Sequence, residues 1–316
     1  DLPALVSGHL RPSRLHVSGG DITVKRGPDG RFDIALGQMQ AGPEIRSLPD
    51  LFDALDRVFA LPLLAELAKV EADALSLTVT DARAGRVWQI GDGRLRLDNR
   101  PDALAAELAV TLAGSGAATG QADLVVVSDK GTSTARLTAT VEGVAARDLA
   151  AQAGPLSPLA VLDAPISGRL AATVGPQGIG ALEGRLTLGP GALLPRPGVL
   201  PIAFDRAVLA IGFDPARARI ELSTLEVESR TLRFKATGHA YMQDATGAFL
   251  TGPVGAVLPA SFLTQIAISE AAVDPEGLFE SPVAFSSGAL DLRLRLDPFS
   301  LDIGQLALMD GPHGLH

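Results

Sequence analysis

Cysteine is absent from the 316 residues. That excludes disulfides, thiol catalysis and cysteine-ligated metal, and it leaves the compartment open. Aromatic residues make up only 4%, with one Trp (Trp88) and one Tyr (Tyr241). A compact core of this size ordinarily uses more rings, because each ring buries a large area. No uninterrupted apolar run reaches about 18 residues, so no transmembrane helix is expected. Basic residues are the minority, 27 Lys and Arg against 36 Asp and Glu, for a net charge of −9. Nucleic-acid binders carry a basic face, so that class is disfavoured. A strongly anionic membrane surface is disfavoured as a docking site for the same reason. The chain opens on Asp1 with no Met, no basic leader and no apolar leader core. No signal peptide or anchor is visible, and the expectation is a fragment of a longer protein whose anchor lies outside it.

What the sequence does hold is aliphatic residue spread thinly along its whole length. Hydrophobic residues make up 47%, and the mean hydropathy is positive. They recur with period two, which places them on one face of a strand and their polar neighbours on the other. Leu290, Leu292, Leu294 and Leu296 alternate with Asp291, Arg293, Arg295 and Asp297. The same pattern carries Phe32, Ile34 and Leu36, then Leu75, Leu77 and Val79 against Ser76, Thr78 and Thr80. It continues through Leu95 and Leu97, then Leu108, Val110 and Leu112, then Leu137 and Val141. Later runs are Leu186 and Leu188, then Leu209, Ile211 and Phe213, then Leu232 and Phe234. These residues form the candidate inward, ligand-facing surface. Ile220 and Leu222 match Leu225 and Val227 only after a one-residue slip, which predicts a β-bulge near Ser223 and Thr224.

Turn chemistry separates the runs. The signals are Gly27-Pro28-Asp29-Gly30, Gly91-Asp92-Gly93, Asp214-Pro215, Asp244-Ala245-Thr246-Gly247 and Asp274-Pro275-Glu276-Gly277. The spacing predicts successive antiparallel hairpins, and strands with one apolar face argue the same way. Gly-Arg-Leu recurs at 93–95, 168–170 and 184–186, a weak repetition that implies growth along one axis.

One helix is expected inside this β pattern. Ser47 is its N-cap, Asp50 stands three residues on, and Leu51, Phe52, Leu55, Val58 and Phe59 form an apolar stripe. Pro62 kinks it before Leu63, Leu64 and Leu67. Its polar face is acidic, which favours packing on the sheet over membrane-surface binding. A shorter helix is expected from Ala145 to Ala153. The domain scheme is a β segment at 1–46, a capping or plugging helix at 47–70 and a continuous β segment at 71–316.

No catalytic constellation stands out. His9, His16, His239, His313 and His316 include no pair at metal-helix spacing, so no metal site and no cofactor are expected. Gly114-Ser115-Gly116 with Gly120 lacks dinucleotide-loop spacing. Asp98, Asn99 and Asp102 lack the Gly and distal Glu of a calcium loop. Glu226 and Glu228 fall on the polar side of a strand. The chain is not expected to be an enzyme.

A sheet with one apolar face must cover it, by closing, by pairing with a second sheet or by curling around a ligand. The fold class expected is mostly β: a long, antiparallel, strongly twisted sheet curled into an open apolar groove, with one or two short helices. Pro165-Ile166-Ser167-Gly168-Arg169-Leu170, the turn at Gly175 and Gly184-Arg185-Leu186-Thr187-Leu188-Gly189 resemble the AsmA-like proteins of Gram-negative envelopes. So do Pro201 to Ile211, Asp214-Pro215, Ile220 to Val227 and Phe234 to Gly238. Among these bridge-like lipid transfer proteins the chain most resembles the branch that contains YhdP, with TamB a more distant relative. This resemblance implies a periplasmic protein held to the inner membrane by a segment outside this chain. It implies that phospholipid is the partner, conducted along a β-groove between inner and outer membranes, with envelope proteins as further partners. Two other readings stand beside it: a scaffold that assembles outer-membrane proteins by β-strand augmentation, and a closed structural β-sandwich.

Overall fold

A computed structural model describes residues 12–27, 32–36, 39–45, 57, 59, 61, 66–82, 86–113, 119–150, 159–194, 200–255, 259–274, 281–296, 299–310 and 313–315. Among them the chain is mostly strand, and the sheet it forms does not close into a barrel. The chain divides into two compact units, Asp1–Val141 with Thr173–Pro176, and Glu142–Ala172 with Gln177–His316.

The first unit contains β1 (Arg14–Arg26), β2 (Phe32–Leu36), β3 (Met39–Ile45), β4 (Lys69–Asp81), β5 (Arg86–Asn99), β6 (Ala103–Ala113) and β7 (Thr119–Asp129). β1, β2 and β3 pair antiparallel in succession, as do β4, β5, β6 and β7. The join between the two groups departs from the expected meander: β1 and β4 run parallel, in register from Arg14↔Lys69 to Arg26↔Asp81. The sheet is therefore mixed. A parallel pair needs a crossover of a dozen or more residues, and the stretch between β3 and β4 is long enough to return the chain to the starting end of β1. That stretch also carries no two-residue hairpin signal.

Gly91-Asp92-Gly93 is not a turn but lies inside β5. Gly20, Leu75 and Gly93 are register partners across β1, β4 and β5, and the residue preceding each has a positive φ: Gly19 at 73°, Ala74 at 53° and Asp92 at 53°. The registers of β4 with β5 and of β5 with β6 shift here. Three neighbouring strands thus kink at one level, and each kink bends its strand and adds right-handed twist.

Most of the expected helix at 47–70 falls outside the described residues, as does its Ser47 cap. Arg57 and Phe59 are helical, and Phe59 and Leu67 are buried with Leu104, Val126 and Ala135.

The second unit contains α1 (Ala146–Ala150) and the strands β11 (Gly178–Leu188), β14 (Arg206–Asp214), β15 (Arg219–Glu228), β16 (Leu232–Gln243), β18 (Ser261–Val273), β20 (Ser287–Leu296), β21 (Phe299–Asp310) and β22 (His313–Leu315). These strands pair antiparallel in that order. β8 (Ala135–Ala145) and β10 (Pro165–Gly175) have residues in both units, β17 (Val254–Gly255) and β19 (Val283–Phe285) are short strands of the second, and a small second sheet joins β9 (Leu162–Asp163), β12 (Gly191–Leu193) and β13 (Ile202–Phe204). The shorter expected helix is present as α1, while residues 151–158 lie outside the described residues. His313 belongs to β22 and pairs with Asp310.

Two of the expected turns are built by their aspartates. The Ala216 N–H donates to Asp214 Oδ1 at 2.9 Å. Asp244 Oδ1 accepts from the Thr246 N–H (2.8 Å), the Thr246 hydroxyl (2.7 Å) and the Ala248 N–H (2.9 Å). Residues 28–30 of the turn at 27–30, the glycine loop at 114–116 and residues 275–277 lie outside the described residues.

Candidate functional site: aliphatic rows across the sheet

Residues directly opposite in a ladder share a face, so the registers sort the candidate residues. In the second unit they form unbroken rows running across the strands. One row is Leu186, Leu209, Leu225, Ala236 and Ile268. The next is Gly184, Ile211, Leu222, Gly238, Ile266, Leu290 and Leu306. A third is Leu182, Phe213, Ile220, Ala240, Thr264, Leu292 and Ile303. Leu188, Ala207, Val227, Phe234 and Ala271 flank these on one side. Phe262, Leu294 and Leu301 flank them on the other, with Leu296 opposite Phe299 beyond. Leu232 pairs with Val273.

The first unit repeats this arrangement. Val17, Ala72, Leu95, Leu108 and Leu124 form one row, and Leu15, Val70, Leu97, Ala106 and Val126 form the next. Leu36, Ile22, Leu77, Ile90 and Leu112 form a third. Ile34, Val24 and Val79 form a fourth. Leu75 pairs with Gly20 and Gly93, Val110 with Ala122, and Phe32 with Arg26. Leu137 packs against the cluster of Phe59, Leu67, Leu104, Val126 and Ala135. Val141 lies in β8 (Ala135–Ala145), half-buried.

Bulges keep the rows on one face. The expected bulge is present: Ser223 is the extra residue between Leu222 and Thr224, opposite the Ala210–Ile211 step, and its hydroxyl donates to the Ala210 carbonyl at 3.4 Å. Two more were not legible as bulges. Ser269 is the extra residue of β18 opposite Lys235 and Ala236, and its hydroxyl donates to the Lys235 carbonyl at 3.2 Å. Gly304 is the extra residue of β21 opposite Asp291 and Leu292. Their effect was to hide Ile266, Ile268, Leu301, Ile303 and Leu306 from a strict period-two reading. Each is in phase on its own side of its bulge, which is the signal that finds it.

Burial is uneven along the rows. Ala236, Ile266, Ile268 and Ala271 are buried, packed by Leu225, Phe234, Phe285, Leu290, Leu292 and Leu308 from the same face. At the β21 end, Leu301 and Ile303 are 53% and 60% exposed.

The opposite face is charged and paired. Lys235 Nζ lies 2.8 Å from Glu270 Oε2, which raises the Lys235 ammonium above its ordinary range and lowers the Glu270 carboxyl. Glu71 is lowered by its hydrogen bond from Lys69 at 2.8 Å, with Arg96 and His16 contributing less. Arg219 is raised first by Glu221 and then by Tyr241. His239 lies on this face beside Tyr241, with ring centroids 5.4 Å apart and edge to face. His16 is exposed, 3.9 Å from Asp73. Among the described residues, no group of three metal-ligating side chains converges. No described helix is long and apolar enough to cross a membrane.

Against this geometry, the comparisons add no relative: no protein-family model, curated protein or solved structure matches the chain.

Proposed function

We propose that this chain is a segment of a periplasmic β-groove that binds phospholipid by its acyl chains and conducts it between inner and outer membranes. The observation that carries the reading is the register: seven successive strands of one unit align Leu, Ile, Val, Phe, Ala and Gly in rows on one face while Arg, Lys, Glu and Asp align on the other. Such rows offer a ligand continuous apolar area and no directional polar contact, which is the chemistry of an acyl chain. Binding then scales with buried apolar area at about 25 cal/mol per Å². The scarcity of rings fits, since flexible aliphatic side chains conform to a sliding chain. The resemblance to AsmA-like envelope proteins points the same way and supplies the periplasmic location and the inner-membrane anchor outside this chain.

The test is native mass spectrometry with lipid extraction on protein purified gently from an envelope. Several phospholipids should co-purify and be lost from the Leu292→Asp/Leu294→Asp variant, with far-UV circular dichroism reporting that its strand content is retained. A lipid-free, monodisperse wild type would sink the reading and favour a scaffold or a closed sandwich.

A further inference from the structure

The polar face of the second unit holds two neighbouring hollows, of about 620 and 490 Å³. Both fall in the size range of small-molecule sites. In the first, Thr237, Ala267 and Ala289 form a floor of small side chains, with Glu221 and His239 beside it. Tyr241, Leu263, Arg293 and Asp302 line the second. Gln265 and Asp291 line both and form the ridge between them. The registers put these side chains on one face. Glu221, His239, Gln265 and Asp291 are successive ladder partners, and so are Tyr241, Leu263, Arg293 and Asp302.

A repeat in the sequence builds both hollows. Pro201-Ile202-Ala203-Phe204 leads into the hairpin of β14 and β15, and Pro282-Val283-Ala284-Phe285 leads into the hairpin of β20 and β21. At the same distance from the opening proline, Glu221-Leu222-Ser223 in one copy corresponds to Asp302-Ile303-Gly304 in the other. Ser223 and Gly304 are the bulge residues of their strands, and each triplet lines one hollow. An acid, an aliphatic residue and a bulge thus recur together, which an accidental dent in a surface would not show.

The chemistry of the lining selects the ligand. Glu221 is held by Arg219, and Asp302 lies 4.0 Å from Arg295. The side chains of Thr237, Gln265, Asp291 and Arg293, among the described residues, bond to no other side chain. Carboxylates and guanidinium groups around the hollows balance: Glu221, Asp291 and Asp302 against Arg219, Arg293 and Arg295. A ligand of either net charge therefore gains little here. What the lining offers is planar groups that each hold two neighbouring hydroxyls, a carboxylate as acceptor, a guanidinium as donor and an amide as both. Rings stand beside them. His239, Tyr241 and Phe249 pack edge to face in series, with centroids 5.4 and 6.0 Å apart, and Phe249 is 59% exposed. The negative face of a ring attracts C–H groups such as those of a sugar. The backbone under the hollows is used in the ladders, so an extended peptide finds no strand edge to join there. We propose that the two hollows hold adjacent units of a neutral glycan, one sugar ring in each, with Gln265 and Asp291 hydrogen-bonded to both. The site lies on the face opposite the aliphatic rows. It does not rest on the lipid reading, and either can fail without the other.

The test is a printed array of neutral and anionic saccharides, from monosaccharides to long oligosaccharides, followed by calorimetric titration with the best-bound sugar. Neutral oligosaccharides should bind. A disaccharide should bind at least about tenfold more tightly than its monosaccharide, because it fills both hollows. Gln265→Ala and Asp291→Ala should each weaken binding about tenfold, with circular dichroism unchanged. Ala289 is exposed, so Ala289→Leu fills the first hollow without disturbing the sheet. It should erase the advantage of the disaccharide and leave the monosaccharide bound. Arg233→Ala, on the same face outside the hollows, should bind as the wild type does. The proposal is overturned if no member of the array binds, if anionic glycans bind more tightly than neutral ones, or if Asp291→Ala keeps the wild-type affinity.

Discussion

Gly238 shows how closely the strands approach on the aliphatic face. A Cβ there would run into the Gln265 carbonyl oxygen and lie 3.0 Å from Ile266 Cα, both backbone atoms that cannot swing aside. Gly238→Ala should therefore cost about 1–3 kcal/mol in urea denaturation. Gly212→Ala, whose nearest atom is 3.8 Å away, should change stability by less than about 0.5 kcal/mol. Ala74 is the converse case, an alanine held at φ 53°. The left-handed region costs a Cβ-bearing residue about 1–2 kcal/mol, and glycine's extra chain entropy returns part of that. Ala74→Gly should raise the urea midpoint, a gain of about 0.5 kcal/mol. Asp244 ties pH to the same scale. Its carboxyl is held below the ordinary range, first by the Thr246 hydroxyl and then by the Ala248 N–H. A lowered folded-state pKa means stability that is present at neutral pH and lost as pH falls through the folded value. Asp244→Asn should flatten the acid limb of a stability–pH profile below about pH 4 while leaving its slope near neutrality unchanged.

At the scale of the element, Ser223 decides the face of half a strand. Deleting it puts Ile220 and Leu222 out of phase with Leu225 and Val227, so one set must leave the aliphatic face. The deletion should cost roughly 3 kcal/mol or more by urea denaturation. Ser223→Ala should cost less than about 0.5 kcal/mol, since the long 3.4 Å hydroxyl contact contributes little beside the inserted backbone unit. This bulge was legible in the sequence because aliphatic residues stand in clear phase on both sides of it. The rows of β14, β15, β16 and β20 were legible for the same reason. The bulge at Ser269 was not: Thr264 occupies a position on the aliphatic face of β18, and Ala267 and Ala272 occupy positions on the polar one, which blurs the contrast. Gly91-Asp92-Gly93 was misread because turn and bulge share one requirement, a residue that tolerates positive φ, and only the neighbouring strands distinguish them. The parallel pairing of β1 with β4 left no local mark at all, since it depends on where a long connection delivers the chain.

The chain combines a net charge of −9 with aliphatic rows within each of its two units, and charge and rows make different demands on a ligand. If headgroup charge governed binding, affinity would fall steeply with salt, because exposed charges are screened over about 10 Å at 0.1 M. If acyl burial governs it, as proposed here, salt should matter little and chain length should matter a great deal. Each fully buried methylene contributes about 0.8 kcal/mol, so shortening both chains of a lipid by one carbon should weaken binding up to about fifteenfold. Exchanging one headgroup for another at fixed chain length should change it far less. Calorimetric titration across a chain-length series at low and high salt separates the two demands. The aliphatic rows predict a negative heat-capacity change that grows with chain length. A strong dependence on salt or headgroup, with none on length, would instead place the ligand on the charged face, where Arg219, Lys235 and Glu270 stand among exposed strands.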